Sequence, residues 1–599
     1  MRGKMNANWK ALAGLVLVST LTVGNAQTTE SASTSAAKKH HPHRTVRKSS
    51  IEAQIEALQK DMDAQRSQIE ALQQQLSERD AELQKAQQDA AQAQASAQQA
   101  QQAAQSQQAA VNASNQSVSS LQNAVADLKT STSAAVAKVK TQQAKLKGEV
   151  ESPDEIHYKG TTISPHGSFI EGATVYRSAA TGGGINTPFT GVPLANSDAA
   201  QMSEFKGSGR QSRIALKATG KLSNMTMTGY YEMDWLGTGI TSNNNQSNSY
   251  VVRQRQLWAQ AALTNGWTFT GGQMWSLAAE TTHGLDNGTE ILPGTIDPQY
   301  EAGFIWTRQY GFRVTKDFSN KLWIGASVEN AQALPGGSNP PNQTLGQGGN
   351  GGGLYNATAN YSYNLAPDMI AKLAWEPGWG HWELFGIARF FNNRVYPNYG
   401  SGSSTGAYND SKVGGGIGGG FRVPLAKKKI SVGLKALYGN GTGRYGSSTI
   451  ADITFKQDGQ ISVLHTLSGL GTLEFFPTKR LYIYTNYGGD YVGRDIQGNS
   501  GYGLYTTDMS GCNTEPLPGG AFSNSAPAHC GGNTKDVQEF TAGYWYNIYN
   551  GPKGMLRYGL QYSRFQRDLW SGNGGETNPG GGAQGTDNGF WTSFRYYLP

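Results

Sequence analysis

The chain has 599 residues, of which only 37% are hydrophobic and 77 are glycine, so it is poor material for large packed cores. Its 50 Lys and Arg against 43 Asp and Glu give a net charge of +7, and residues 151–599 alone carry 33 basic and 31 acidic side chains. So small an excess excludes the basic surface of a nucleic-acid-binding protein, whereas a barrel that encloses water needs no large core.

Residues 1–26 have the organisation of a secretory signal peptide. Arg2, Lys4 and Lys10 precede an apolar run over 11–23, and small residues follow up to Ala26. A membrane anchor is the alternative, but this run is too short to span a bilayer as a helix. No later apolar run is long enough to span a bilayer as a helix either, so if the protein spans a membrane it does so with strands.

Residues 27–50 are predicted to form a disordered basic tail, because they contain few hydrophobic residues. His40, His41 and His43 could bind a metal ion, but such a flexible tract is more often only a solvated basic patch. We therefore expect no metal and no cofactor. A basic tail can also contact an anionic polymer such as peptidoglycan.

Residues 51–146 are rich in Ala, Gln and Ser, almost without Gly or Pro, which favours helix. A heptad runs through them without a slip, which predicts a coiled coil about 140 Å long if it is unbroken. A single solvated helix or a disordered linker is the alternative. One core position is occupied by Ile55, Met62, Ile69, Leu76, Leu83, Ala90, Ala97, Ala104, Val111, Val118, Val125, Thr132, Val139 and Leu146.

Residues 147–165 are predicted to be a linker, and residues 166–599 an all-β transmembrane barrel of 16 antiparallel strands. The alternation of two faces is clearest over 225–235, where Glu232 and Asp234 lie on the face opposite Met233 and Trp235. The predicted strands lie near 167–177, 209–219, 222–236, 250–263, 267–277, 303–316, 321–331, 368–376, 381–392, 412–424, 428–439, 460–476, 480–493, 536–549, 554–568 and 588–598.

The connections between these strands alternate between short turns and long polar loops. A water-soluble sandwich also alternates apolar and polar residues, but seven short turns at one end and eight long loops at the other are typical of an outer-membrane barrel.

The strand predicted near 381–392 fits the alternation less well. Glu383 and Arg389 share a face with Phe385 and Ile387, so we expect either a subunit contact there or a different register.

Sixteen strands leave a lumen too wide for side chains to fill, so selectivity needs a constriction. The third long loop carries Glu280, Asp286 and Glu290, followed by Asp297 and Glu301, and no Lys or Arg over 277–303. Earlier strands place basic side chains at inward-compatible positions. Facing walls of opposite charge would sort charged solutes; the alternative is an exposed acidic loop with arginines at lipid headgroups. The basic residues are Arg213, Lys217, Arg253 and Arg255.

Other candidate sites are weaker. Cys512 and Cys530 are the two cysteines, and in an exported protein a disulfide between them is expected, with free thiols as the alternative. His283 and Asp286 lie near each other without a nucleophile elbow. Gly414, Gly416 and Gly419 match a dinucleotide-binding pattern, but no helix follows. We therefore expect no enzymatic activity.

Four short segments resemble the DcaP-like trimeric porins of Gram-negative outer membranes, in the order in which that family has them. The resemblance covers roughly residues 166–599 and implies a sixteen-stranded trimeric barrel, an N-terminal periplasmic coiled coil and passage of dicarboxylates and related anions. The segments are Gly209-Arg210-Gln211-Ser212-Arg213, Gly272-Gln273-Met274-Trp275-Ser276, Ala366-Pro367-Asp368 leading to Gly378-Trp379-Gly380-His381, and Gly439-Asn440-Gly441-Thr442-Gly443-Arg444-Tyr445.

The sequence therefore predicts a homotrimeric outer-membrane porin for small hydrophilic solutes, organic anions such as dicarboxylates among them. Its expected surroundings are outer-membrane lipid and lipopolysaccharide, with the stalk in the periplasm, possible contact with peptidoglycan and no contact with nucleic acid. The alternative function is structural: the coiled-coil stalk and basic tail would tether the outer membrane to the cell wall.

Overall fold

The computed structural model describes residues 109–151, 156–237, 250–338, 340–343, 362–512, 514–515, 529–574 and 582–599. Contacts divide the chain into two units, 1–142 and 143–599. The predicted signal peptide (1–26), the basic tail (27–50) and the first part of the predicted coiled coil (51–108) lie outside the described residues.

A single long helix, α1, spans Ala109–Glu151 in the described part of the chain. It covers the last portion of the heptad pattern and continues five residues past Leu146, into the predicted linker. Val125, at the core position of the heptad given above, and Leu121, four residues earlier at its second core position, form part of the heptad seam and are exposed on the single chain. Association of this helix with others stays a prediction. None of the helices in the described ranges is both long and apolar enough to cross a bilayer.

Twenty-three strands follow α1 in the described residues, and sixteen of them form a closed antiparallel barrel, as predicted: β3, β5–β14, β17, β18 and β21–β23. The strands are β1 Ile156–Tyr158, β2 Thr161–Ser164, β3 Phe169–Arg177, β4 Glu204–Ser208, β5 Arg213–Lys221, β6 Met225–Gly237, β7 Val251–Leu263, β8 Trp267–Trp275, β9 Arg308–Phe318, β10 Leu322–Glu329, β11 Asp368–Trp375, β12 His381–Val395, β13 Tyr408–Leu425, β14 Ile430–Asn440, β15 Ile453–Phe455, β16 Ile461–Val463, β17 His465–Phe475, β18 Leu481–Val492, β19 Asp495–Gln497, β20 Ser500–Tyr502, β21 Thr534–Gly551, β22 Gly554–Leu569 and β23 Gln584–Tyr597.

The barrel closes where β23 pairs with β3, with Tyr597 opposite Phe169. Near this seam, β2 pairs with the end of β5, and β4 pairs with β3. The short hairpin β1–β2 therefore joins the barrel sheet, although composition predicted a linker there. Backbone pairing, which composition does not report, decides this difference.

Each barrel strand has one face toward the outside and one toward the lumen. Along β3 and β11 exposed and buried residues alternate, and the outward positions are apolar, with Phe312 and Val413 among the most exposed side chains. The inward face carries the charges, such as the almost fully buried Glu232 and Asp234. This alternation follows from the two-residue period of a strand.

Among the long loops that the structure describes, loop 1 and loop 3 pack against the inner wall. Loop 1 (178–203) packs Ile185, Phe189 and Val192 against barrel side chains that include Trp591. Loop 3 (276–307) packs its own apolar residues against the opposite part of the wall. That cluster consists of Leu277, Ala278, Leu285, Ile305, Trp323, Ile370, Ala374, Phe385, Ile387, Leu437 and Tyr445.

The position of loop 3 explains why β12, predicted near 381–392, carries charged and apolar residues on the same face. Phe385 and Ile387 lie on the inward face of β12, together with Glu383 and Arg389, and all four are buried. The expectation of a subunit contact at this face is therefore wrong. An apolar side chain can point into the lumen here because loop 3 covers it and excludes water.

Candidate functional site

Loop 3 crosses the lumen from β8 to the far wall. The amide of Ile296 donates to Gln561 on β22 at 2.6 Å, and the amide of Ala302 donates to Glu539 on β21 at 2.8 Å. Gly303 passes so close to β17 that a Cβ atom would lie 2.0 Å from the Gly469 carbonyl oxygen, and its φ is +79°. Only glycine fits there.

The first half of loop 3 reaches the end of the barrel where the short turns lie. His283 Nδ1 is 3.1 Å from Glu376 Oε2, and Glu376 belongs to the turn between β11 and β12. The Thr281 amide donates to Glu383 Oε1 at 3.0 Å. Loop 3 therefore runs along most of the lumen height and is anchored near both ends of the barrel.

The three acidic residues that were candidates for a constriction have different surroundings. Glu280 forms an ion pair with Arg422 of β13 at 2.8 Å, so its charge is compensated. Glu290 accepts from the Gly288 amide at 2.9 Å. Asp286 is half exposed, and its carboxylate lies 3.9 Å from His283 Nε2. The three carboxylates do not form one continuous acidic surface.

Two further acidic residues of loop 3 are fully buried against the barrel. Asp297 accepts from Gln561 at 3.0 Å, and burial raises the pKa of its carboxyl to about 7. Burial raises the pKa of Glu301 well above its usual range, and the charges of Glu539 and Asp297 raise it further. In the part of the chain that is described, no cation lies within ion-pair distance of either carboxyl.

Three of the four basic candidates meet on the inward face of β5–β7, and Lys217 lies four residues after Arg213 along β5. Arg255 binds two carboxylates of the neighbouring strand β6, Glu232 at 2.5 Å and Asp234 at 2.9 Å. Arg253 also binds Asp234, at 2.8 Å, and Arg213 lies 3.5 Å from Glu232. The two β6 carboxylates were identified from the sequence only as part of a polar face. Here they position three guanidinium groups.

A β-bulge places both Arg253 and Arg255 in the lumen. Strict alternation would put them on the outward face of Leu257 and Ala259. In the β6–β7 pairing, however, Glu232 lies opposite Gln256 while Met233 lies opposite Gln254, so one extra residue is inserted in β7. A bulge of this kind reverses which residues face inward. The register shift therefore brings the two arginines together with the charges of β6.

Arg308 completes this surface, and the sequence analysis missed it. It is the first residue of β9, its guanidinium lies 4.9 Å from the Trp275 ring, and it is within electrostatic range of Arg253 and Arg255. We call Arg213, Lys217, Arg253, Arg255 and Arg308 the basic wall. Five cations against Glu232 and Asp234 leave three positive charges. In the sequence, the position of Arg308 directly after the third long loop was the signal that could have identified it as part of this wall.

The remaining candidates have structural surroundings. His283 contacts Trp323 edge-on and hydrogen-bonds Glu376, as expected for a residue that anchors loop 3. Gly414, Gly416 and Gly419 lie within strand β13. Cys512 and Cys530 form a disulfide with Cα atoms 4.7 Å apart.

A closed barrel of sixteen strands, with a loop across its lumen and charged side chains on its inner wall, defines the fold class of outer-membrane channels. Among solved structures, the chain is similar to the outer-membrane channel DcaP of Acinetobacter baumannii, with a TM-score of 0.50 and 13% identity. The match covers 74% of this chain and 99% of that one. It confirms, at the level of the fold, the resemblance drawn from the sequence.

Two other porins match less well. They are OmpF of Salmonella typhi in complex with daunomycin (TM-score 0.37, 11% identity, 74% of this chain and 99% of that one) and the anion-selective porin of Comamonas acidovorans (TM-score 0.36, 12% identity, 73% and 98%). Both scores are too low to support an inference about this chain. No protein-family model matches the sequence, and no curated protein matches it.

Proposed function

We propose that this protein is an outer-membrane porin through which small hydrophilic solutes, organic anions in particular, diffuse passively. The observation that carries the proposal is the basic wall, in which five cations stand against the two carboxylates of β6 on the inner face of a closed barrel. An excess of one sign in a narrow channel raises the local concentration of solutes of the opposite sign.

The basic wall offers an additional anion one partly exposed guanidinium group. Arg213 Nε, Arg255 Nη2 and Arg308 Nη1 are buried without an acceptor among the described residues, so these groups contribute charge rather than contacts. The Arg253 side chain keeps 30% of its surface exposed, so solutes can reach this part of the wall. Guanidinium groups recognise carboxylates through paired, charge-assisted hydrogen bonds. An organic anion would contact Arg253 in this way, while the buried guanidinium groups add only their charge.

Glu232 and Asp234 support this surface without cancelling it. Each accepts from guanidinium groups of β7, which holds Arg253 and Arg255 in fixed positions. The Tyr230 hydroxyl donates to Glu232 at 2.8 Å and orients that carboxylate. Cations held in this way attract anions with little reorganisation of the wall.

Reversal potentials in planar bilayers test the proposal. The double variant Lys217→Gln/Arg253→Gln removes two partly exposed charges of the basic wall, so we expect the permeability ratio of chloride over potassium to fall several-fold. Lys427→Gln/Lys428→Gln, at a turn outside the lumen, is the matched control and should not change it. Equal selectivity in both variants and the wild type would refute the basic wall as the selectivity element.

We further propose that the protein is a homotrimer with α1 in a periplasmic stalk. The exposed seam side chains Leu121 and Val125 support association of helices. The tethering alternative differs in its outcome. Deletion of residues 27–146 should leave single-channel conductance intact if the barrel is a pore. Loss of sedimentation with purified peptidoglycan in the same variant would assign tethering as an added role.

A further inference from the structure

Three consecutive short turns carry six exposed cations on one rim of the barrel. β14 pairs with β17 and β18 pairs with β21, so the turns after β13, β17 and β21 are neighbours. These turns contain no acidic residue, and none of the six cations forms an ion pair in the described ranges. We call this set the basic arc: Lys427, Lys428, Lys429, Lys479, Arg480 and Lys553.

The first of these turns is built against backbone preference. Ala426, Lys427 and Lys428 have φ angles of 48°, 57° and 66°, in the left-handed region that glycine and asparagine adopt more easily. Each such residue costs on the order of 1 kcal/mol. Tight hairpin turns require positive φ at their central residues, and Ser319 and Asn320 adopt it in another turn of the barrel. The conformation therefore follows from the turn and does not by itself indicate a partner.

The position of the basic arc indicates which kind of partner its cations would meet. Directly beside it, the outer surface of the barrel exposes Phe475, Phe476, Tyr546 and Tyr549, all about 40% accessible. Exposed aromatic side chains of membrane proteins collect at the level of the lipid headgroups. The cations at the ends of the same strands therefore lie at the height of the lipid phosphates, on the outer side of the barrel and away from the lumen.

We propose that the basic arc binds anionic phospholipid headgroups in the leaflet at the short-turn rim. Lysine ammonium groups and the Arg480 guanidinium would contact the phosphate of lipids such as phosphatidylglycerol. Because each cation near an anionic bilayer surface contributes roughly a five-fold preference, six cations on one arc suffice for stable enrichment. An anionic glycan would approach from water, but the arc adjoins the lipid-facing aromatic side chains.

Native mass spectrometry of the full chain, released from nanodiscs with equal phosphatidylglycerol and phosphatidylcholine, tests this proposal. We expect the wild type to retain phosphatidylglycerol in several-fold excess. The triple variant Lys427→Ser/Lys428→Ser/Lys429→Ser should lower this excess toward equal retention of the two lipids, because half of the cations are lost. High salt should lower it in the wild type as well. Unchanged single-channel conductance would show that the triple variant is folded.

The matched control removes three exposed lysines from α1, as Lys129→Ser/Lys138→Ser/Lys140→Ser, and should keep the wild-type lipid ratio. Equal retention of the two lipids by the wild type would overturn the proposal, as would the same ratio in both triple variants. Purified peptidoglycan serves as the competing probe. If the arc variant no longer sediments with it while its lipid ratio is unchanged, the partner is the cell wall and the proposal is wrong.

Discussion

The two sides of the lumen differ in how their charged side chains are paired and exposed. On the packed wall, formed by β10–β14 and loop 3, Glu383 binds both Lys372 and Lys435 at 2.6 Å, and all three side chains are buried. On the basic wall, positive charge exceeds negative charge, and Arg253 stays partly exposed. The difference teaches that buried lysines on the packed wall depend on a carboxylate in direct contact, whereas on the basic wall a partly exposed guanidinium group is also stabilised by water.

Removal of the central charge of the packed wall should have the largest effect on stability. Glu383→Gln leaves two buried lysines without a counter-ion, so we expect a loss of about 3–5 kcal/mol. Urea unfolding of the protein in lipid vesicles measures it. Exchange of a carboxylate on the exposed part of the chain, Asp458→Asn, is the control and should cost little. A small loss for Glu383→Gln would mean that water enters the packed wall.

The buried acids of loop 3 should make stability depend on pH. Because the pKa of Asp297 rises from 3.8 to about 7 on folding, the folded state binds more protons than the unfolded state between these values. Stability should therefore fall as pH rises from about 4 to 7, by at most ~4 kcal/mol. Unfolding at both pH values measures it. Asp297→Asn should reduce the slope, and an unchanged slope would place the titration elsewhere.

The apolar contact between loop 3 and the packed wall should control how firmly the loop is held. Leu285 is buried against the packed wall, so Leu285→Ala should cost about 3 kcal/mol and raise single-channel conductance as the loop loosens. Leu467→Ala, on the lipid-facing surface, removes the same atoms without this contact. If the two variants conduct alike, loop 3 does not limit the pore.

Removal of one charge from the basic wall should barely affect stability. Lys217 has no ion pair among the described residues, so we expect Lys217→Gln to change the free energy of unfolding by less than about 0.5 kcal/mol. The variant should change ion selectivity alone. A loss of stability as large as that of Glu383→Gln would show that the two walls do not differ in how strongly stability depends on a single charge.

The sequence by itself determined the number of strands, their approximate bounds, and the alternation of short turns with long loops. These features depend on local periodicity and turn residues, which each segment carries independently of the others. The inward direction of Arg213 and Lys217 follows from the same periodicity. For β12, the inward apolar residues Phe385 and Ile387 broke the expected pattern because their partners lie about a hundred residues earlier, in loop 3.

Only the tertiary structure decided which charges meet. The β7 bulge turns Arg253 and Arg255 inward, and a one-residue shift of this kind leaves no clear mark in composition or period. Loop 3 crosses to β21 and β22, so the burial of Asp297 and Glu301 depends on contacts far away in the chain. Charge compensation is a property of three-dimensional neighbours, and for that reason the sequence could place the charged residues but not their partners.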